Sequence, residues 1–425
     1  MNFGIAYVLI VYAIVVGMMI SNKFSIATCA VTCAVLLQAG GVTSFKETWA
    51  GLLNSSVVMM ASMFVVAAGL SKTSILKKLS NNIIKPGSSD TKIMLGLAVI
   101  IFMLTSFTNG TNSLNIVLPI IFAVCEAQNR PASKFIQTSA ILCQVWAGLL
   151  PLGGNAGSYN LTNEVINNLG GVGEFTFFTQ MLAKLPLGIA VMLGAIFVNH
   201  RFAPKFETAP YEIQEKKGAK DSALDPKKEK IAIVIFVATI VGLVVFSLTG
   251  KDNTLPPLIG ALAMVLFGVL KPREVPNNMG LSVILCSVCL LPISTALVNT
   301  GGDVLLSDCM DVVLNHINSS WGVLLLFYVV SSVLTQIMYN ATVKNIFQPL
   351  AIIAAVSHGW NATPLVLAVI IGSGAAMLTP MASNVTALGF NAGGYNMKQF
   401  FKGGLFLWLL ELVAFMVTVP FMFPL

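Results

Sequence analysis

The stretch FTNGTNSLNIVLP at residues 107–119 places polar side chains inside a long uncharged segment, which runs from residue 93 to residue 125. A similar stretch, MYNATVKNIFQP, follows at residues 338–349. The apolar segments beside each stretch are shorter than the roughly 20 residues that a membrane-crossing helix needs. Non-helical backbone at membrane depth is tolerated only where protein or a water-filled cavity covers it. These two breaks are therefore candidate functional positions.

The composition of the 425-residue chain places these breaks in a membrane. Hydrophobic residues make up 56% of the chain and charged residues only 10%, with a mean hydropathy of +0.85. Soluble domains carry about 25% charged residues. Other long uncharged runs occupy residues 1–22, 135–163, 231–250 and 275–302, and runs of this length indicate spanning helices. We predict an all-α polytopic protein of the cell (inner) membrane, in contact with the lipid bilayer.

The net charge of +7 does not indicate nucleic-acid binding. Eight of the 24 Lys and Arg residues lie between Arg201 and Lys230, where six acidic residues are mixed with them. Aromatic residues that would stack on bases are not interleaved there. We predict a solvated cytoplasmic linker at residues 201–230 and no nucleic-acid partner.

Two polar arms of opposite charge predict the orientation. The arm at residues 71–92 has one acid, Asp90, whereas the arm at residues 302–320 has no basic residue. The charged residues of the arms are Lys72, Lys77, Lys78, Lys85 and Lys92 in the first, and Asp303, Asp308 and Asp311 in the second. Because basic loops stay inside, the first arm faces the cytoplasm and the second the exterior, with both termini external. The first helix has no preceding basic residues and is expected to be a retained span.

The two halves of the chain share residues at a nearly constant spacing. The matching pairs are Pro119 and Pro349, Pro151 and Pro380, Asn155 and Asn384, Leu70 and Leu297, and Thr73 and Thr300, separated by 227 to 230 residues. The opposite charge of the arms implies copies of opposite orientation. Inverted repeats with interrupted helices at corresponding positions are typical of secondary transporters, whose site lies near the bilayer midplane.

Four strings resemble the divalent anion–sodium symporter family of the ion transporter superfamily. The stretches at 107–119 and 338–349 are similar to that family's two hairpin tips, which carry Ser-Asn-Thr before a helix ending in Pro. LLPLGGNAGSYN (149–160) and MLTPMASNVTALGFNAGGYN (377–396) are similar to its broken helices. The resemblance covers nearly the whole chain and is stronger for the superfamily than for its dicarboxylate branch.

The resemblance implies the domain organisation. Each half would have three helices, a surface arm, a re-entrant hairpin, a broken helix and a final helix. Residues 1–200 would form repeat 1, with a cytoplasmic hairpin at about 93–126 and a broken helix at about 136–168. Residues 231–425 would form repeat 2, with an external hairpin at about 321–356 and a broken helix at about 364–394. The family also implies a homodimer and an elevator mechanism.

The polar breaks predict the site. Amide and hydroxyl oxygens with unwound carbonyls are ligands for Na⁺, and half-helix N-termini attract carboxylates; capping of short helices is the alternative role. The predicted substrate-binding residues are Asn109, Gly110, Thr111, Asn112, Asn155, Asn340, Ala341, Thr342, Lys344, Thr379, Pro380, Ser383 and Asn384. The predicted Na⁺ ligands are Thr108, Asn109, Asn112, Gly153, Gly154, Asn155, Asn340 and Asn384. Asn155 and Asn384 are expected in loops that follow Pro.

Both tips depart from the family pattern, reading Asn-Gly-Thr-Asn and Tyr-Asn-Ala-Thr. Lys344 follows the second tip, where its ammonium would take the place of a bound cation or else reach the external surface. Glu164 and Glu411 are intramembrane acids, and a proton-coupling role is an alternative for either; for Glu411 pairing with a neighbouring helix is favoured. The sequence predicts no metal site and no cofactor, with Na⁺ as a possible coupling ion.

The predicted function is secondary active transport of small organic anions, most plausibly di- or tricarboxylates, coupled to Na⁺ or H⁺ or by exchange. An arsenite-type or sodium–proton antiporter of the same superfamily is the alternative, although its core acid is missing from the tips. A channel or sensor on the same scaffold is the alternative of another class. An enzyme is not expected, because no catalytic motif is present.

Overall fold

The computed structural model describes most of the chain. The described residues are 3–21, 23–53, 55–73, 89–107, 109–150, 157–199, 203, 206, 224–249, 254–279, 281–289, 292–302, 304–305, 308, 317, 319–380 and 383–425. Their regular structure is helical apart from one isolated bridge between Val172 and Asn361. The all-α prediction is confirmed for these residues.

The first half of the chain contains hairpin and broken-helix elements after its leading helices. In order these are α1 (Phe3–Ser21), α2 (Ile26–Ala39), α3 (Phe45–Trp49) with a 3₁₀ turn at Ala50–Leu53, α4 (Ser55–Ser71), α5 (Asp90–Phe107), α6 (Gly110–Ala127), α7 (Ser133–Trp146), α8 (Ser158–Asn168) and α9 (Thr179–Gly194), which ends in a π turn at Ala195–Asn199. The α5–α6 hairpin and the α7–α8 pair occupy the ranges expected for the first hairpin and broken helix. The last three residues of the predicted basic arm, 90–92, belong to α5.

The second half is also helical. It contains α10 (Pro226–Thr249), α11 (Leu255–Leu266), a 3₁₀ turn at Pro272–Glu274, α12 (Val275–Asn278), α13 (Leu281–Cys289), α14 (Pro292–Thr300), α15 (Ser320–Leu334), α16 (Asn340–Ser357), α17 (Ala362–Gly374), α18 (Asn384–Gly393) and α19 (Met397–Met422). The α15–α16 hairpin and the α17–α18 pair again match the expected ranges. Most of both polar arms and of the linker lies outside the described residues.

Side-chain caps and glycines set where the half-helices begin and end. Ser383 is the N-cap of α18, and its Oγ accepts a hydrogen bond from the Thr386 N–H at 3.2 Å. Gly157 precedes α8 with φ +73°, a left-handed conformation that glycine adopts without steric cost. The prediction that Asn384 lies in a loop is wrong, because the Ser383 cap makes Asn384 the first residue of α18.

The helices form two groups, each with its own buried clusters. In the first group, α1 and α2 pack on α13 and α14, while α4 packs on α10 and α11. In the second group, one cluster joins α5, α6 and α7 to α9 and α19, and another joins α15, α16 and α17 to α8 and α19. Helices of both halves therefore contribute to each group.

Contacts between the two groups include two smaller buried clusters, which join α4, α10 and α13 to α8 and to Phe177. Helix α8 touches α4 and α14, and α16 touches α1. The Tyr12 hydroxyl on α1 donates a hydrogen bond to the Ile346 carbonyl on α16 at 2.8 Å. The second group contains both hairpins and both broken helices, and it therefore positions every element of the predicted site.

Three helical segments among the described residues are long and apolar enough to cross a membrane. They are Phe45–Leu70, Thr179–Asn199 and Met397–Met422. The half-helices of the hairpins and broken helices are shorter, as expected for elements that enter the membrane without crossing it alone.

Candidate ion and substrate site

The first hairpin tip is fitted closely against two other helices. Asn109 is the N-cap of α6, and its Oδ1 accepts a hydrogen bond from the Asn112 N–H at 2.8 Å. Gly110 is buried, and a Cβ added to it would lie 2.9 Å from the Cys143 carbonyl oxygen on α7 and 3.0 Å from Cγ2 of Val385 on α18. Only glycine fits this position without displacement of its neighbours.

The second tip is instead joined to its broken helix by hydrogen bonds. The Gln336 Nε2 donates to the carbonyls of Ser332 at 2.7 Å and Ala375 at 2.8 Å, and its Oε1 accepts from the Leu378 N–H at 2.9 Å. The Thr379 hydroxyl donates to the Gln336 carbonyl. The side chain of Gln336 thus joins the second tip to the backbone that follows α17 through two hydrogen bonds, and it is held to α15 by a third.

The hydroxyl of Thr335 adds a second connection at this tip. Its Oγ1 lies 2.8 Å from both Asn340 Oδ1 and the Ser373 carbonyl oxygen. Asn340 is the first residue of α16, whereas Tyr339 is the N-cap. Asn109 therefore corresponds to Tyr339 by helix position, which agrees with the equal distance of each cap from Pro119 and Pro349. The two paired asparagines occupy different positions in their tips.

The remaining predicted residues of the tips differ in exposure. Thr342 is 1% exposed, and its Oγ1 has no hydrogen-bond partner within the described part of the chain. Thr111 and Lys344 are half-buried, whereas Asn112 and Ala341 are exposed. Lys344 is the fifth residue of α16.

The predicted residues of the two breaks are only partly described. Thr379 and Pro380 are half-buried after α17, and Ser383 caps α18 beside the exposed Asn384. Thr108, Gly153, Gly154 and Asn155 lie outside the described residues. The structure brings the first tip next to the start of α18 and the second tip next to the end of α17.

Two side chains that the predicted site omits bind the end of the first broken helix. The Lys184 ammonium on α9 donates a hydrogen bond to the Ala147 carbonyl at 2.7 Å, and the Gln180 amide, one helical turn earlier, donates to the Gly148 carbonyl at 3.0 Å. Cations and amide donors are favourable at a helix C-terminus, where carbonyls lack partners. The sequence feature that could have identified Lys184 as a candidate functional residue is its charge within an otherwise apolar helix.

The ends of the two broken helices also contact each other. The Gln144 Nε2 on α7 donates to the Gly374 carbonyl at the end of α17, at 3.2 Å. A Cβ added to Gly374 would lie 4.0 Å from the Lys184 Nζ. Lys184 therefore lies beside the C-terminal ends of both α7 and α17.

Glu411 lies within α19, 4% exposed. The charged side chain that acts on it electrostatically is Lys184 of α9, a neighbouring helix. The described contacts include no direct ion pair between the two, and Glu411 Oε2 has no hydrogen-bond partner among the described residues. Within the same residues, no group of three His, Cys, Asp or Glu side chains has the arrangement of a metal site.

Helix ends contribute partial charges to this region. The N-termini of α6 and α18 meet at Gly110 and Val385, and N-termini carry partial positive charge. The C-terminal ends of α7 and α17 meet at Gln144 and Gly374, and such ends present carbonyl oxygens. The arrangement can therefore bind an anion on one side and a cation on the other.

Comparison with known proteins gives the family. The model of the CitMHS citrate transporter family matches residues 15–372. The chain belongs to this family. As the sequence predicted, it is an integral membrane protein, and its relatives and structural neighbours are described as transporters and not as enzymes.

Curated relatives include transporters of known and unknown cargo. The chain is 22% identical over 444 residues to the sodium-dependent dicarboxylate transporter SdcS of Staphylococcus saprophyticus, covering 95% of this chain and 83% of that one. It is 27% identical over 225 residues to an uncharacterised transporter, sll0640, of Synechocystis, covering 53% of this chain and 36% of that one. It is also 23% identical over 201 residues to a probable sodium/sulfate cotransporter of Chlamydomonas reinhardtii, covering 45% of this chain and 22% of that one. The matched part of the chain spans only about a third of the Synechocystis relative. The predicted resemblance to the divalent anion–sodium symporters is confirmed.

Solved transporter structures share the fold. The YdaH transporter of Alcanivorax borkumensis has a TM-score of 0.64 at 15% identity, with 91% of this chain and 88% of that one covered. MtrF of Neisseria gonorrhoeae, described as an antimetabolite efflux pump, has a TM-score of 0.58 at 12% identity, with 91% and 83% covered. At these identities the likeness concerns the fold alone.

Proposed function

We propose that the protein is a secondary active transporter of small organic anions of the di- or tricarboxylate class, coupled to Na⁺ or H⁺. The observation that carries the proposal is the meeting of two helix N-termini at Gly110 and Val385. Two partial positive charges at one point favour a carboxylate, because backbone N–H groups there lack intrahelical partners. Membership of the citrate transporter family and similarity to a sodium-dependent dicarboxylate transporter support the same substrate class.

The coupling cation would bind near the second tip. The Thr342 hydroxyl is buried without a partner among the described residues, and hydroxyl oxygens are suitable ligands for a hard cation. Asn340 and the carbonyls after α17 would complete the ligand set, and Asn109, Asn112 and Asn384 would line the anion side. Sodium-coupled relatives support Na⁺ as one candidate ion.

Uptake into proteoliposomes tests the proposal. Purified protein should exchange labelled succinate or citrate against internal unlabelled anion, and an inward Na⁺ or H⁺ gradient should raise accumulation severalfold over the gradient-free control. Exchange of Na⁺ for H⁺ without anion transport would favour an antiporter instead. Flux that never accumulates against a gradient would favour a channel.

The remaining family features belong to the same proposal. The group containing both hairpins would move as the elevator against the group of α1, α4, α10 and their neighbours, in a homodimer. The four larger buried clusters, each of which lies within one group, support this division. The inverted repeat and a cytoplasmic linker at 201–230 would follow from the charge of the arms. Impermeant thiol reagent should label Asp308→Cys but not Lys77→Cys in intact cells, and the opposite pattern would overturn the orientation.

Lys344 would supply a fixed positive charge beside the substrate. Its place in the second turn of α16, next to the second tip, supports this role. Lys344→Met keeps the length and removes the charge, so substrate affinity should fall by about tenfold, the loss of roughly one charged hydrogen bond. Unchanged affinity would show that Lys344 lies outside the site.

A further inference from the structure

Glu411 is a buried carboxyl that the proposed anion and cation sites do not use. It is the fifteenth residue of α19, in a segment apolar enough to cross a membrane, and only 4% exposed. Its Oε2 has no hydrogen-bond partner among the described residues. Buried carboxylates in membrane segments are costly and rare, and they commonly mark ion or proton pathways. An unpaired buried oxygen of this kind therefore calls for a functional explanation.

The helices packed on α19 bring two titratable groups to Glu411. These neighbours are α9, α7, α15 and the turn at 195–199. Helix α9 contributes Lys184 and α15 contributes Tyr328, which is fully buried and whose hydroxyl also lacks a partner in the described part of the chain. Helix α7 carries Lys134, which binds Asp90, and Cys143. The turn carries no titratable side chain.

Two acceptors compete for the Lys184 ammonium, the Ala147 carbonyl and the Glu411 carboxylate. In the structure it donates to the Ala147 carbonyl at the end of α7, while Glu411 acts on it electrostatically without a direct ion pair among the described contacts. An ionised Glu411 attracts the ammonium away from Ala147. A protonated Glu411 is neutral and leaves the ammonium on the broken helix.

We propose that Glu411 is a proton-binding site and that Lys184 transmits its protonation state to the broken helices. The step is simple: one proton adds to the carboxylate to give a carboxylic acid, and it is released on the other side of the membrane. This rests on the proposed transport function and names H⁺ as a coupling ion. Lys184 is a positioning residue, since it acts through the ends of α7 and α17 next to the proposed substrate site.

A transport experiment in proteoliposomes distinguishes proton-coupled uptake from anion exchange. Glu411→Gln keeps the shape of the side chain and cannot bind a proton. It should lose pH-gradient-driven anion accumulation at least tenfold while it retains anion counterflow. Glu164→Gln, an acid-to-amide change on α8, is the matched control and should retain both activities. Gradient-driven accumulation at the parent level in Glu411→Gln would overturn the proposal.

A second experiment, by infrared spectroscopy, does not depend on transport. An infrared pH titration of the purified parent should show a protonated-carboxyl C=O band that is missing in Glu411→Gln and present in Glu164→Gln. If no variant and no parent transports carboxylates, the proposed function fails, yet the band still decides whether Glu411 binds a proton. A band that persists in Glu411→Gln contradicts the assignment.

If Glu411→Gln does not fold, Lys184→Met provides a second test of the proposal. Removal of the ammonium should shift the midpoint of the same band by at least one pH unit, a tenfold change in proton affinity. An unchanged midpoint would show that Lys184 does not act on Glu411 and would overturn the proposal.

Discussion

The two broken helices end in different ways. The last carbonyls of α7 accept hydrogen bonds from Lys184 and Gln180 of the closing helix α9. Those of α17 accept them from the facing hairpin tip, through Thr335 and Gln336. The first break is thus held by a cation from another helix, and the second by neutral side chains of its own hairpin.

This difference assigns different behaviour to the two breaks. Neutral amides and hydroxyls keep their hydrogen bonds whatever the ions or protons nearby, so the second break and its tip should move as one body. An ammonium responds to any new negative charge. The first break is therefore the one whose geometry can depend on a bound anion or on the protonation of a neighbouring acid.

The first tip packs closely against α7 and α18 at Gly110. Gly110→Ala places a Cβ 2.9 Å from the Cys143 carbonyl oxygen, a backbone atom that cannot turn aside. We expect a loss of stability near the upper end of about 1–3 kcal/mol, together with loss of uptake. Thermal unfolding in detergent measures the first and proteoliposome uptake the second.

Gly17→Ala is the control for this variant. Nothing lies within 4 Å of a Cβ added to Gly17 in α1, so the change should be neutral or slightly stabilising. Equal unfolding temperatures for the two variants would show that the first tip is not held by this contact.

The second tip should depend on a single amide. Gln336→Leu removes three hydrogen bonds and leaves the Leu378 N–H and Ala375 carbonyl without that partner. We expect a loss of about 2 kcal/mol, compared with about 1 kcal/mol or less for Gln144→Leu, which removes one bond to Gly374. Chemical unfolding of both variants tests the difference, and a larger loss in Gln144→Leu would reverse the comparison.

The sequence predicted the elements of both regions better than their connections. The half-helices follow from Pro, Gly and polar residues that interrupt apolar runs, and the hairpin at 93–126 was placed within three residues of α5–α6. The bonds of Lys184 to Ala147 and of Gln336 to Ala375 join residues 37 and 39 positions apart. No periodic pattern reports such contacts, because they depend on how separate helices pack. Asn109 is an N-cap whereas Asn340 is the first residue of its helix. This one-residue difference is likewise set by local geometry, and the ligand roles predicted for both residues stay predictions.

A contact away from both breaks should have the smallest effect. Glu274 receives a hydrogen bond from the Lys72 ammonium at 2.6 Å, which joins the two halves of the chain. This bond, with that from the Lys271 N–H, holds the pKa of Glu274 below its usual value. A lowered folded pKa gives stability above the unfolded pKa of about 4.3, and this stability is lost as the pH falls through the folded pKa.

We therefore expect Glu274→Gln to cost less than about 1 kcal/mol at pH 7, because exposed ion pairs are screened, and to converge with the parent in acid. Glu126→Gln, at an exposed carboxyl on α6, is the control. Unfolding temperatures measured from pH 7 downward test this. A loss that exceeds that of Gln336→Leu would contradict the expectation that this contact matters less than the second tip.

The central claim is that the polar tips bind the transported species and do more than cap helices. Asn109 and Asn396 allow a direct measurement, since each is an N-cap whose Oδ1 accepts a backbone N–H, at 2.8 and 2.9 Å. Changing either to Ala should cost a similar amount of stability, about 1 kcal/mol. Carboxylate uptake should fall more than tenfold in Asn109→Ala and stay near the parent level in Asn396→Ala. Near-normal uptake in both variants would reduce Asn109 to a helix cap and contradict the account.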